Sequence, residues 1–276
     1  MSIPFLVQIR PLPPWLDWRR LLGPGAWTAR ELDNTCLEAN SLLDRHSAAD
    51  LAARLRGVGI GGALLEVTIS PPLHRKDTRK ASTEEARRYR DGSTGFSKHA
   101  ARLDDEGRKS LTPEALALTL GERAQGLRVI DACAGAGGNA IGFARAGCSV
   151  TAIEINRDRL AMARHNARLY GVENRIEFIL GDARRILPER EADLLFIDPP
   201  WGERYNKERV TLDDLPPCRE LLELAEHLPD HWIKVPPSFD PATLPGCQVE
   251  AFFGTAGGDQ RRVKFLLLKT LRRGSV

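Results

Sequence analysis

The stretch "LRVIDACAGAGGNAIGFARAGCSVTAIEI", residues 127–155, decides how this chain folds. Its opening, "LRVIDA" (127–132), is a short apolar run rich in β-branched residues and reads as a buried strand. A glycine-rich loop follows, then "NAIGFARAG", a short helix stopped at Gly147, then a second apolar strand, "CSVTAIEI" (148–155). Strand, helix and strand in that order form a crossover unit whose two strands must run parallel.

The alternation continues outward. "RDRLAMARHNARLYG" reads as a helix closed by Gly171, "RIEFILGD" (175–182) as a third strand, "ADLLFID" as a fourth and "HWIKV" as a fifth. "QVEAFFG" and "RRVKFLLLKT" flank "TAGGDQ" as a terminal hairpin. Upstream, "SLTPEALALTL" reads as a helix with Thr112 as N-cap, Pro113 in the first turn and Glu114 at the positive dipole end. The expectation is an α/β fold, a Rossmann-like parallel sheet with helices on both faces. A terminal antiparallel hairpin is unusual for a plain dinucleotide-binding fold and usual for class I methyltransferases. Residues 1–73 read as a small α+β domain, with helices in "TARELDNTCLEANSLLDRH" and "SAADLAARLRGVG" and a strand "GALLEVTIS" stopped by Pro71 and Pro72. Residues 74–110 form a basic connecting segment, and 111–276 the main domain.

Composition narrows the classes. With 276 residues, 42% hydrophobic and 28% charged, the chain can bury a full core and resembles ordinary globular proteins. No apolar run reaches membrane-spanning length and no signal-like start is visible, so the expectation is a cytoplasmic protein with no membrane partner. The five cysteines are widely spaced without a C-x-x-C pair, which argues against a disulfide frame and against a metal knuckle, so no metal is expected. Net charge is only +3, but His74 to Arg102 holds nine Lys/Arg against four acids. Such a stripe can face phosphates or form a solvated helix face.

In the loop, Gly135, Gly137 and Ala140 satisfy G-x-G-x-x-A, and Glu154 ends the next strand, as in nicotinamide or flavin domains. Asp131-Ala132-Cys133-Ala134 separate the strand from the glycines, giving a wider loop with a carboxylate at its root. That suits S-adenosylmethionine, which has no pyrophosphate but carries an ammonium and a sulfonium. Asp131 fits the amino-acid end, Glu154 the ribose hydroxyls, and Asp182, at the third strand end, the adenine amine. Three successive carboxylates line the sheet edge where open α/β folds bind ligands.

Then comes "DPPW", Asp198 to Trp201. An exocyclic amine on a nucleobase is a poor nucleophile because its lone pair is delocalised into the ring. Asp198 and the carbonyl of Pro199 can accept from its two N–H groups, the Pro199-Pro200 pair holds the loop rigid, and Trp201 offers a stacking face. Amide-nitrogen methyltransferases use a similar turn with Asn first and Tyr last.

At this point the residues resemble the trimethylguanosine synthase family of RNA cap guanine-N2 methyltransferases. "RLDDEGRKSLTPEALA" looks like its segment before a TPE helix, "VIDACAGAGGNAIGFA" is similar to its glycine loop, including Asn139, and "VTAIEINRDRLAMARHNARLYGVENRIEFILGD" matches a long run. Asn166-Ala167 and Tyr170-Gly171 are not generic methyltransferase features. The resemblance implies an S-adenosylmethionine-dependent enzyme acting on guanine N2, with Ala132 and Asn139 in the cofactor loop and the base on Trp201. It also implies that Phe96 to Ser110 closes over cofactor and substrate, with Phe96 and Lys98 as substrate contacts. This chain departs from the family at Asp198, where the family has Ser, and at Glu203, where it has Gly. Arg108 and Lys109 replace an expected aromatic pair.

The leading expectation is therefore an RNA methyltransferase acting on an exocyclic amine, guanine N2 first. Adenine N6, a protein amide or a small-molecule amine is the alternative. A non-catalytic RNA-binding protein and a Rossmann oxidoreductase are the remaining rivals. Arg204 and Tyr205, just past the motif, are further substrate candidates. His165 and Cys133 read as packing residues, and Trp15, Trp18 and Trp27 as anchors of the N-terminal unit.

Overall fold

The structure, a computed structural model, describes residues 4–74, 95–201, 208–256 and 262–271. Most of the basic run (75–94), Arg204, Tyr205 and part of the hairpin loop lie outside the described residues.

The N-terminal part is a four-stranded antiparallel sheet carrying one long helix. In chain order it contains β1 (Phe5–Leu12), the short helix α1 (Trp18–Leu22), β2 (Thr28–Asp33), β3 (Cys36–Leu43) and α2 (Arg45–Leu55). A two-residue pair, β4 (Gly59–Ile60) and β5 (Ala63–Leu64), precedes β6 (Glu66–Ser70). The sheet order is β2-β3-β1-β6. Two expectations need correction here. Residues 28–43 form a hairpin, not a helix: Asp33 accepts from the amide and hydroxyl of Thr35 at 2.7 and 2.5 Å, turning the chain, and Glu31 pairs Leu37 across it. Period-two burial of Ala39 and Ser41 on β3 then decides for strand. The expected strand 62–70 is interrupted at Leu65, whose amide and carbonyl bond back to Val58 and Gly57.

The second sheet holds the site. Helices α3 (Asp105–Ser110) and α4 (Glu114–Arg123) precede β7 (Arg128–Asp131), α5 (Gly138–Arg145), β8 (Ser149–Glu154), α6 (Arg157–Leu169) and β9 (Ile176–Leu180). Then come α7 (Ala183–Ile186), β10 (Leu194–Ile197), α8 (Cys218–Leu224), β11 (Asp230–Val235), β12 (Cys247–Phe253) and β13 (Val263–Leu271). The order β12-β13-β11-β10-β7-β8-β9 is parallel from β11 to β9, with β13 antiparallel to β11 and to β12. This is the class I methyltransferase sheet. Pro113 stands at the N-cap of α4 with extended ψ of 134°, so Thr112 does not cap it; its buried hydroxyl has no hydrogen-bond partner among the described residues.

Alternation along the strands splits the core. Ile130, Ile153, Leu195, Ile197, Ile233 and Leu268 face one side, and Val129, Val150, Leu194, Phe196 and Leu267 the other. All four residues of β10 are buried, each contributing roughly 1.5–3 kcal/mol of transfer free energy. Helices α4 and α5 touch through Gly121 and Gly142, where a Cβ on either would collide with the facing backbone. The N-terminal unit docks on the outer edge of β12: the Asp17 amide donates to the Val249 carbonyl (2.8 Å), and Arg20 and Arg123 both pair Glu250 at 3.2 and 2.6 Å. The first core cluster runs unbroken across this junction.

Candidate active site

Strand order reverses around β7, since β8 follows on one side and β10 lies on the other. Ligands in open α/β sheets bind at the carboxyl ends of strands at such a point. Asp131 ends β7 and is completely buried, and neither carboxylate oxygen has a hydrogen-bond partner among the described residues. Burial, and next the negative charge of Asp198, push its carboxyl up to about 8; the nearby amides of Cys133 and Ala140 favour the ionised form without forming hydrogen bonds. Burial likewise pushes the Cys133 thiol well up, so it is no nucleophile.

The glycine loop is anchored by its own neighbours. Ala132 donates to Phe196 O (3.0 Å) and Ala134 to Ile153 O (2.9 Å), tying the loop to β10 and β8. Gly137 stands at the N-cap of α5 with φ of 90°, a conformation that favours glycine. Gly135 donates to Glu154 Oε2 and Asn156 to Glu154 Oε1, both at 2.8 Å. Each oxygen of Glu154 keeps a second lone pair, so it can hold the loop and accept from a diol together. Asp182 caps α7 and is gripped by Arg184, whose hydrogen bonds hold its carboxyl below the usual range.

Asp198 follows β10. Its Oδ2 accepts from Asn139 Nδ2 and from Lys234 Nζ, each at 2.8 Å, while Oδ1 has no partner among the described residues. Pro199 is buried, Pro200 exposed and Trp201 partly buried against both core clusters. Asn139 thus commits its amide to Asp198. Lys234 escaped the sequence reading; the available signal was a lysine inside the apolar strand "HWIKV", where a solvated residue has no place.

A strap crosses the glycine loop. Ser97 N and Tyr170 Oη both donate to Glu114 Oε2 at 2.7 and 2.5 Å, and Arg145 reaches Oε1 at 2.6 Å. Burial would raise Glu114, but these hydrogen bonds outweigh it and hold the carboxyl at about 2. Phe96 packs on Tyr170 with ring centroids 5.6 Å apart, and the exposed Lys98 lies 5.8 Å above the same ring. Asn166, fully buried, bonds Arg102 and the Ala136 carbonyl together. Arg159 pairs Asp104 at 2.7 Å and also Glu106. Sequence reading marked Asn166 and Tyr170 only as distinctive residues; their partners were not visible. Among the described residues no group of three His, Cys, Asp or Glu could hold a metal ion, and no helix is long and apolar enough to cross a membrane.

The family model described as RNA cap guanine-N2 methyltransferase matches residues 127–215. The trimethylguanosine synthase of Schizosaccharomyces pombe (strain 972 / ATCC 24843) is 37% identical over 127 residues, covering 42% of this chain and 53% of that protein. Ribosomal RNA small subunit methyltransferase J of Rhodopseudomonas palustris (strain HaA2) is 41% identical over 86 residues, covering 28% and 39%. The chain thus spans about half or less of these relatives. A solved structure from Porphyromonas gingivalis W83, assigned as a methyltransferase, superposes with a TM-score of 0.50 at 16% identity over 72% of this chain and 50% of that one, a likeness of fold. Asp131, buried and without a side-chain hydrogen-bond partner among the described residues, together with the glycine loop and Glu154, could hold a ligand with a cationic amino-acid end and a ribose. Residues 127–215, the stretch that holds the glycine loop, Glu154 and Asp198, are thus similar to the RNA cap guanine-N2 methyltransferase family.

Proposed function

We propose that this chain methylates the exocyclic N2 amine of a guanine in RNA. The observation that carries the reading is the asymmetric carboxylate of Asp198: Oδ2 holds Asn139 and Lys234, and Oδ1 is left to accept from a substrate. Bound S-adenosylmethionine supplies a methyl group on a sulfonium, an electrophile that needs no metal and no covalent enzyme adduct. In this reading Asp131, Ala132, Gly135, Gly137 and Glu154 hold it, with Asp182 at the adenine end.

Asp198 Oδ1 and the Pro199 carbonyl accept the two N–H bonds of the amine and turn its lone pair out of conjugation. A methylated amine would carry one proton too many, and Oδ1 is the group placed to take it. Pro199 and Pro200 keep both acceptors fixed, so orientation supplies most of the acceleration. Trp201 stacks the base. Phe96 and Lys98 on the strap, and Arg204 and Tyr205, are substrate contacts in the same reading.

The test is transfer of labelled methyl to RNA, to protein and to free nucleotides by wild type and Asp198→Ala. Label in RNA that the substitution abolishes supports the reading. Label in protein or a small amine, with RNA unmarked, removes it.

A further inference from the structure

Lys234 is 3% exposed, near the end of β11. Its Nζ lies 2.8 Å from Asp198 Oδ2 and 3.4 Å from the Ser110 carbonyl, with the rings of Trp201 and Phe265 centred 5.2 and 5.5 Å away. Fold stability does not explain it. A buried ion pair gains little over apolar side chains of the same volume, because both charges leave water, and a methionine of similar length would fill this space. The reason for an ammonium here lies in what it does to Asp198 and to the face of Trp201.

We propose that Lys234 sets the charge of the base this site accepts, selecting an uncharged guanine over an N7-alkylated, cationic one. The inference rests on the reading that a guanine stacks on Trp201 and is held by Asp198. A lone carboxylate beside a tryptophan favours cations twice, through its own charge and through the electron-rich ring face. Lys234 cancels both: the ion pair with Asp198 is neutral and the ammonium already engages the ring, so a cationic base would give up its hydration here with no counter-charge to compensate, while an uncharged guanine would not.

No other described carboxylate nearby takes over that role. Asp131 belongs to the cofactor end, where the ammonium of the bound S-adenosylhomocysteine offsets its charge, and Glu154 is clamped by the amides of Gly135 and Asn156. An uncancelled unit charge about 8 Å from a second one, at an effective dielectric near 20, changes affinity on the order of thirtyfold.

The experiment is equilibrium binding, in the presence of S-adenosylhomocysteine, of a short RNA carrying one guanine and of the same RNA with N7-methylguanine in its place. Wild type, Lys234→Met, Lys234→Arg and Asp198→Asn full-length proteins are compared, each checked for folding by thermal melting. Wild type is expected to favour the unmethylated RNA at least tenfold. Lys234→Met, which leaves Asp198 uncancelled, should erode that ratio at least tenfold, and Lys234→Arg should keep it. Asp198→Asn, which leaves the ammonium uncancelled, should widen the ratio, so the assignment stays testable if Lys234→Met does not fold. Wild type binding both RNAs equally, or a ratio unmoved in every folded variant, overturns the assignment alone. Binding of neither RNA overturns the guanine reading and this assignment with it.

Discussion

The side-chain amide of Asn166 pairs with Arg102 as a strand would: the Arg102 amide donates to Oδ1 at 2.8 Å and Nδ2 donates to the Arg102 carbonyl at 2.9 Å. The same Nδ2 reaches the Ala136 carbonyl at 2.9 Å, so one buried residue holds the strap against the glycine loop.

Asn166→Ala leaves two carbonyls and one amide without partners in a dry place. The expected cost is about 2–3 kcal/mol in urea unfolding, with cofactor binding weakened roughly tenfold as the loop loosens. A variant as stable as wild type, with unchanged cofactor affinity, would show that the strap closes by other means.

Asp131 makes stability fall with pH. Its folded carboxyl titrates about 8 against an ordinary 3.8, so between those values the folded state holds a proton that the unfolded state has lost. Unfolding then takes up no proton and releases one, and stability declines by at most about 1.4 kcal/mol per pH unit across the window. Asp131→Asn removes this slope, so the ligand-free variant should melt progressively higher than wild type as pH rises from 5 to 8. Binding a cationic ligand ionises Asp131, so cofactor affinity in wild type should rise with pH toward 8 with release of one proton. Titration calorimetry in buffers of different ionisation enthalpy reads that proton directly.

Glu114 behaves in the opposite sense. Its folded carboxyl sits at about 2 against an ordinary 4.5, so its stabilisation is complete above about 4.5 and fades as pH falls toward 2. Melting temperatures of wild type and Glu114→Gln should differ at pH 6 and converge near pH 2.

Asp198→Ala should lower kcat by at least about a hundredfold, the scale of lost orientation and proton acceptance, while cofactor binding changes by no more than a few fold. Stopped turnover with intact cofactor binding is the pattern that separates a reacting group from a structural one.

Much of this was legible in the chain. The βαβ stretch at 127–155 has one apolar period and one glycine loop, and the parallel strands, the helices between them and the terminal hairpin followed from local pattern. The positions of Asp131 and Glu154 at strand ends, and of Asp198 just past β10, were readable from the apolar runs that precede them. The hairpin at 28–43 was misread since its turn, Asp33 to Thr35, depends on a side-chain hydrogen bond, and β2 is exposed throughout and shows no apolar face. Lys234 was not legible as a partner of Asp198 because strand pairing, not sequence spacing, brings β11 beside β10. Asp182 was readable as a strand-end acid, but not its capture by Arg184 two residues on.

The most direct test of the central claim is the identity of the methylated nucleoside. RNA treated with the protein and S-adenosylmethionine bearing a heavy methyl group is digested to nucleosides and resolved by mass spectrometry. The account predicts heavy N2-methylguanosine, absent with Asp198→Ala. Heavy methyl in N6-methyladenosine, or in protein with none in RNA, contradicts it.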